Sequence, residues 1–281
     1  MTTAPLTLGF SPCPNDTFMF YPLVHGLVDT NGLSFRERLE DVETLNRLAL
    51  AGELDVSKVS YHALGYIRDR YTLLRSGSAL GRGCGPLLVA RNAIDPTDLR
   101  GKRIAVPGLY TTALLLLRLL DPRLKNFIVM PFNEIMHAVL TGQVDAGLII
   151  HESRFTYQEA GLHKLVDLGE WWEGETDLPI PLGGIVARRS LGTETIAVIE
   201  RALRNGIEYA HSNPAVAANY IREHSQEMSQ EVCAAHIGLY VNDYSANLGQ
   251  QGEQAIACLL QRAEEAGIIP SSDKFLFNQN N

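Results

Sequence analysis

Short apolar runs and amphipathic stretches alternate along most of this chain, and the alternation predicts a mixed α/β fold. Strand-like runs fall at Leu6–Phe10, at 33–39, at 55–59, at 72–75 and at 87–90. Helix-like stretches lie between them: one from about Thr17, one from Asp41 as N-cap to Ala51, and one over 62–70. The glycine-dense segment 77–86 lets the backbone approach a ligand closely. A turn-rich stretch, 91–103, opens a second block of the same kind that runs to 170–184. A strand at 185–187 then carries the chain back towards the first block. Beyond it the pattern is helical: 193–212, 214–223 with Pro214 at its first position, 229–240 and 253–266.

The two blocks are copies of one unit. RLALAGELDVSKVSY (47–61) and HAVLTGQVDAGLIIH (137–151) each show a helix end, a glycine, a polar and an apolar residue, an aspartate and a strand. Aligning Gly52 with Gly142 puts Asp55 on Asp145, and Tyr61 on His151. Upstream of each lies a strand running into a helix start, TLGFSPCPNDTFMF (7–20) and RIAVPGLYTTALLL (103–116). Two such lobes facing each other make a cleft lined by both loop–helix starts and both strand tips. The expected lobes are 1–90 with 187–281, the larger, and 91–186, the smaller, with the two crossovers acting as a hinge.

Composition narrows the function classes. With 281 residues, 46% hydrophobic and 20% charged, the chain suits a soluble two-lobed protein. A net charge of −8 and the absence of a basic stripe argue against nucleic acid as partner. The longest apolar run, 113–120, is broken by Arg118 and is too short for an integral membrane segment. MTTAPLTLGF has no basic n-region, which points to a cytoplasmic protein without a secretory signal. Cys13, Cys84, Cys233 and Cys258 show neither C-x-x-C nor metal-ligand spacing, so reduced cysteines are expected. The sequence leaves a homodimer open.

His151 is the main chemical candidate. It ends an apolar strand, where open α/β sheets place their ligands, and its side chain titrates near neutrality. An arbitrary histidine is more often a satisfied core residue; the second copy of the pattern is what singles this one out. H-E-x-x-H would need histidine where Phe155 stands, so no metal is expected. In SPCPNDTF, Asn15 or Asp16 can cap a helix whose free N–H groups hold an anion or a carbonyl. GLYTTA offers the same device, with the Thr111 and Thr112 hydroxyls suited to a carboxylate. Lys58 and Ser60 are donors on the opposite wall, although Lys58 reads equally as a solvated edge charge. Arg82 is a further carboxylate partner. Trp171 and Trp172 shield the cleft from water, lie at the surface or pack between the lobes. The remaining histidines, His236 among them, read as structural.

Taken together, SPCPNDTFMFYPLVHG, LEDVETLNR, LGRGCGPLLVAR, VPGLYTTA, GLIIHESRFTY and LGEWWE resemble the 1,4-dihydroxy-6-naphthoate synthase family, the lyases of the futalosine route to menaquinone. The resemblance spans nearly the whole chain. It implies the type 2 periplasmic-binding-protein-like fold and cofactor-independent conversion of cyclic dehypoxanthinylfutalosine, a small-molecule carboxylate, to 1,4-dihydroxy-6-naphthoate. It also implies His151 as the proton-abstracting base, Lys58, Val59 and Ser60 as a substrate-contacting triplet, and Thr112 with Ala113 as a second contact. The alternatives are a solute-binding protein for a small carboxylate and the related chorismate dehydratase.

Overall fold

The computed structural model describes residues 4–225 and 229–279. The outermost parts of the expected first lobe, 1–3 and 280–281, lie outside the described residues, as does the start of the segment read as lacking a signal. The chain runs through β1 (Leu6–Phe10), α1 (Pro14–Val24), β2 (Phe35–Leu39), α2 (Val42–Ala51), β3 (Val56–Ser60), α3 (Tyr61–Ile67), β4 (Tyr71–Leu73) and β5 (Ala79–Gly81). It continues with β6 (Leu87–Ala90), β7 (Ile104–Val106), α4 (Thr112–Leu120), β8 (Phe127–Val129), α5 (Ile135–Leu140), β9 (Ala146–Ile149), α6 (Ser153–Thr156), β10 (His163–Asp167) and α7 (Leu168–Thr176). Strand β11 (Ile180–Arg188) is followed by helices α8 (Thr193–Ser212), α9 (Ala218–His224), α10 (Gln230–Tyr240), α11 (Asp243–Ala246) and α12 (Gly249–Glu265).

Two sheets result. The first has the order β2-β1-β3-β11-β4, with β5 also on β11; the second is β10-β6-β9-β7-β8. Among the described residues, no helix is long and apolar enough to cross a membrane.

The duplicated unit has a physical basis. Gly52 and Gly142 end their helices at φ 75° and 77°, left-handed conformations that glycine adopts without a Cβ penalty. Asp55 then accepts from the Thr7 N–H at 2.9 Å and from its hydroxyl at 2.8 Å. Asp145 accepts from the Arg103 N–H at 2.8 Å. Each aspartate thus pins the entry of its lobe's first strand to the start of the next parallel strand, β1 beside β3 and β7 beside β9.

The ladders reassign two strands that the sequence allots otherwise. Residues 87–90, read as closing the first lobe, pair with β9 and β10 in the second sheet, Leu88 opposite Leu148. Residues 180–186, read into the second lobe, belong to β11 in the first sheet, Ile185 opposite Lys58. Both strands are largely buried, so their patterns announce burial without naming a partner.

Helix starts also shift. Helix α1 begins at Pro14 with Cys13 as N-cap, so Asn15 and Asp16 stand in the first turn and do not cap. Asp41 does cap α2, accepting from the Glu43 and Thr44 N–H groups, a device worth about 1 kcal/mol. Residues 214–217 form a turn, and α9 starts at Ala218, leaving Pro214 outside the helix.

Candidate active site

Between the sheets lies a cavity lined by Asn15, Lys58, Val59, Ser60, Thr112, Ala113 and His151, all read from the sequence as site residues. Arg82 is not among them. Its side chain is 43% exposed, near Glu173, and its guanidinium donates to the Asp177 carbonyl at 2.8 Å. Its charged partners, Glu173 on α7 and Asp177 at that helix's C-cap, hold it apart from the cavity lining.

The first-lobe wall is built on a buried ion pair. Lys58 lies in the middle of β3, between β1 and β11, and is 6% exposed, so it is not a solvated edge charge. Its Nζ donates to Asp16 at 2.8 Å. Burial alone would raise the Asp16 carboxyl, but Lys58 and the hydrogen bonds from Ser11 outweigh it and hold the group below the usual range. The Ser11 N–H and hydroxyl donate at 3.1 and 2.8 Å, and Asn15 Nδ2 at 2.9 Å. SPCPND is therefore a cradle for one carboxylate. Next to it, Asn46 Oδ1 accepts from the Ser60 N–H at 2.8 Å, and Asn46 Nδ2 donates to Ser60 Oγ at 3.1 Å. That pattern leaves the Ser60 hydroxyl proton available to a ligand.

The second-lobe wall is the start of α4. Thr111 caps it, accepting from the Leu114 N–H at 3.3 Å. The Thr112 hydroxyl, expected to bind a carboxylate, is already committed: it accepts from the Tyr61 N–H at 2.8 Å and donates to the Leu182 carbonyl at 2.5 Å. Binding capacity there rests on the Thr112 and Ala113 N–H groups, which have no intrahelical acceptor in the first turn. More ties cross at this end: Glu43 accepts from the Leu109 and Tyr110 N–H groups, both at 3.1 Å, and Asn46 donates to the Tyr110 carbonyl at 3.3 Å.

His151 stands two residues beyond β9, with φ at 57°. A left-handed conformation is uncommon for histidine and must be held by its surroundings. Arg154 supplies part of the hold, donating to the Gly85 carbonyl at 2.6 Å and to Asp167 at 2.7 Å. The His151 ring stacks on Phe132 at 5.0 Å, and its Nδ1 lies 2.8 Å from Cys13 Sγ. Burial raises the Cys13 thiol well above its ordinary range, so it stays protonated beside the ring. Burial also lowers His151 below its ordinary value, with Glu152 and Asp16 opposing. At neutral pH the ring is therefore uncharged.

Sequence reasoning missed His236, which α10 delivers to the same cavity. It is 2% exposed, and neither ring nitrogen has a hydrogen-bond partner. Its ring lies 6.1 Å from that of His151 and 4.7 Å from Tyr240. Burial, and then the proximity of His151, push it down to about 3. Glu152 Oε2 is likewise buried and unpartnered. His151, Glu152 and His236 bring ligand atoms within 4.8 Å of one another, a donor set able to take a divalent cation. The H-E-x-x-H test does not capture this set, because His236 comes from a different element. Cys84 also lines the cavity, its thiol pushed up to about 12 by burial. Trp172 is fully buried and donates to the Pro179 carbonyl at 3.1 Å, a packing role away from the cavity lining.

A family model described as menaquinone biosynthesis matches residues 6–265. A Thermus thermophilus protein named 1,4-dihydroxy-6-naphtoate synthase is 51% identical over 97% of this chain and 98% of its own. A Streptomyces coelicolor protein of the same name is 49% identical over 96% and 97%. The chain belongs to the menaquinone-biosynthesis family. A crystal structure of an Archaeoglobus fulgidus protein, AF1704, superposes on this family member with a TM-score of 0.89 at 40% identity, covering 96% of this chain and all of the other. The alkanesulfonate-binding protein SsuA of Xanthomonas axonopodis pv. citri, bound to MOPS, gives a TM-score of 0.71 at 16% identity, covering 96% of each chain. The fold is thus that of the periplasmic binding proteins, as the family resemblance implies, and its two sheets agree with the two lobes read from the paired blocks.

Proposed function

We propose that this protein is a 1,4-dihydroxy-6-naphthoate synthase, a cofactor-independent lyase that acts on cyclic dehypoxanthinylfutalosine. The observation that carries the reading is His151, neutral and strained at the cavity wall, with Nδ1 held at 2.8 Å by a protonated thiol. If Nδ1–H donates to the sulfur, the Nε2 lone pair is left for substrate. In this reading Nε2 removes a proton next to the substrate's carbonyl, and the electron pair moves onto the carbonyl oxygen before the carbon skeleton breaks. A positioned base contributes about 10²–10⁴-fold. The substrate's carboxylate docks on the Thr112 and Ala113 N–H groups and the Ser60 hydroxyl, which replace its hydration. Lys58 shapes the adjoining wall through Asp16. The two lobes close over the substrate, with β11 and the segment between β5 and β6 as crossovers.

Capture of a solute without chemistry would need neither the left-handed His151 nor its thiol partner. A cytoplasmic location belongs to the same proposal, since all four cysteines are free thiols and the relatives are named as a biosynthetic enzyme. Incubation of the purified protein with cyclic dehypoxanthinylfutalosine, followed by chromatography and mass detection, should yield 1,4-dihydroxy-6-naphthoate. Recovery of intact substrate at stoichiometric enzyme would refute the assignment.

A further inference from the structure

The buried polar atoms of His236 call for an explanation, because histidine nitrogens are rarely sealed away without a partner. Leaving a buried donor unmade costs about 1–3 kcal/mol. Here two nitrogens of one ring lack partners in a residue only 2% exposed. The ring is held by packing: Tyr240 at 4.7 Å, Phe155 at 6.5 Å and His151 at 6.1 Å between centroids. Its position is therefore fixed in the cavity lining, and one of its ring nitrogens lies within 4.8 Å of a ring nitrogen of His151 and a carboxylate oxygen of Glu152.

Two occupants could satisfy it, a cation or the substrate. A cation shared by His151, Glu152 and His236 would take up the lone pair that His151 needs as a base. The substrate asks for a donor at the same place: when His151 removes a proton beside a carbonyl, negative charge builds on that carbonyl's oxygen within reach of a group facing His151. Resting on the function proposed above, we infer that His236 is a second catalytic residue, a neutral imidazole whose N–H donates to the oxygen that gains charge. In the step, the substrate C–H bond breaks and an N–H bond forms on His151. The electron pair moves onto the oxygen, and the His236 proton stays on nitrogen in a hydrogen bond that strengthens as the charge develops. A neutral ring suits this task, since it polarises a carbonyl without placing a second cation beside protonated His151. The low pKa direction, set chiefly by burial, is consistent with that neutral state.

The test compares His236→Phe, which keeps an aromatic ring against Tyr240 and removes both nitrogens, with His236→Gln, which restores a donor. Loss of one such donor lowers kcat by about 10²–10³-fold. His236→Phe should therefore turn over about 10²–10³-fold more slowly with KM within a few-fold of wild type, and His236→Gln should regain at least about tenfold of it. Exchange of the abstracted substrate proton with deuterated water should slow in parallel with kcat in His236→Phe, which a purely structural role would not produce. Wild-type kcat in a folded His236→Phe protein overturns the inference while leaving the proposed activity intact. Restoration of an EDTA-inactivated wild type by zinc overturns it in favour of the cation. A wild type inert towards cyclic dehypoxanthinylfutalosine refutes the underlying function and this inference together.

Discussion

Lys58→Met tests whether the cavity floor depends on charge pairing. The side chains of Lys58 and Asp16 are 7% and 2% exposed and meet at 2.8 Å. Removing the ammonium leaves the Asp16 carboxylate buried, supported only by Ser11 and Asn15. Breaking a buried pair from one side costs about 3–5 kcal/mol. With unfolding entropy near 2.1 cal/mol/K per residue, that corresponds to a fall in Tm of about 5–8 °C for a chain of this length. The pH dependence has a definite sign. In the wild type the lowered Asp16 pKa contributes stability above the unfolded value of about 3.9, and this is lost as pH falls through the folded value. In Lys58→Met, burial acts on Asp16 without its main opposing charge, so the carboxyl moves up. The variant's deficit should then be full at neutral pH and shrink on acidification. Urea unfolding of both proteins at several pH values measures this directly. Adding Asp16→Asn to Lys58→Met should recover about 2 kcal/mol, because the uncompensated charge is gone. A deficit under about 1 kcal/mol, or a double variant no better than the single one, would show that water reaches the pair and that the floor does not rest on it.

His151→Asn should fold normally, since asparagine tolerates the left-handed backbone at this position, while kcat falls by about 10²-fold or more and the acid limb of the pH–rate profile disappears; retained turnover with an unchanged profile would place the base elsewhere. That acid limb in the wild type should lie below the ordinary histidine value, because burial lowers His151. Thr112→Val strands the Tyr61 N–H and the Leu182 carbonyl and should cost about 1–3 kcal/mol by thermal denaturation, whereas Thr112→Ser should not. Arg82→Ala should leave KM unchanged in steady-state assays, and a large rise in KM would return Arg82 to the substrate site.

The paired blocks were legible because each carries a glycine at a left-handed helix end that few other residues adopt, followed by an aspartate bonded to the neighbouring strand. His151 was legible from its place at a strand tip, and Lys58, Val59 and Ser60 from the matching tip of the other copy. What the sequence conceals is contact between distant elements. The Cys13 thiol meets His151 only because α1 and the end of β9 face one cavity. The role of Asp16 emerges only when β3 brings Lys58 beside it. His236 sits on a helix whose spacing gives no hint that one of its faces closes the cavity. The exchange of β6 and β11 between sheets has the same origin, since apolar residues announce burial and say nothing of their neighbours.

The hydrogen bonds between the lobes are unevenly spread along the cleft. Tyr61, Glu43 and Asn46 bind the stretch from Leu109 to Thr112 through several backbone and side-chain bonds, while at the opposite end, among the described residues, the Cys13–His151 hydrogen bond is accompanied by ring contacts of His236 with His151 and Phe155. Under the closure proposed above, a cleft fastened in this way would open like a book bound along one edge. The Thr112 and Ala113 N–H groups, proposed above to hold the substrate's carboxylate, lie at the spine. His151 and His236 lie at the fore-edge, their ring centroids 6.1 Å apart. On the function proposed above, a substrate would be moored at the spine by its acidic end with its reactive carbon towards the histidines, and a molecule too short to reach from spine to fore-edge would bind without reacting.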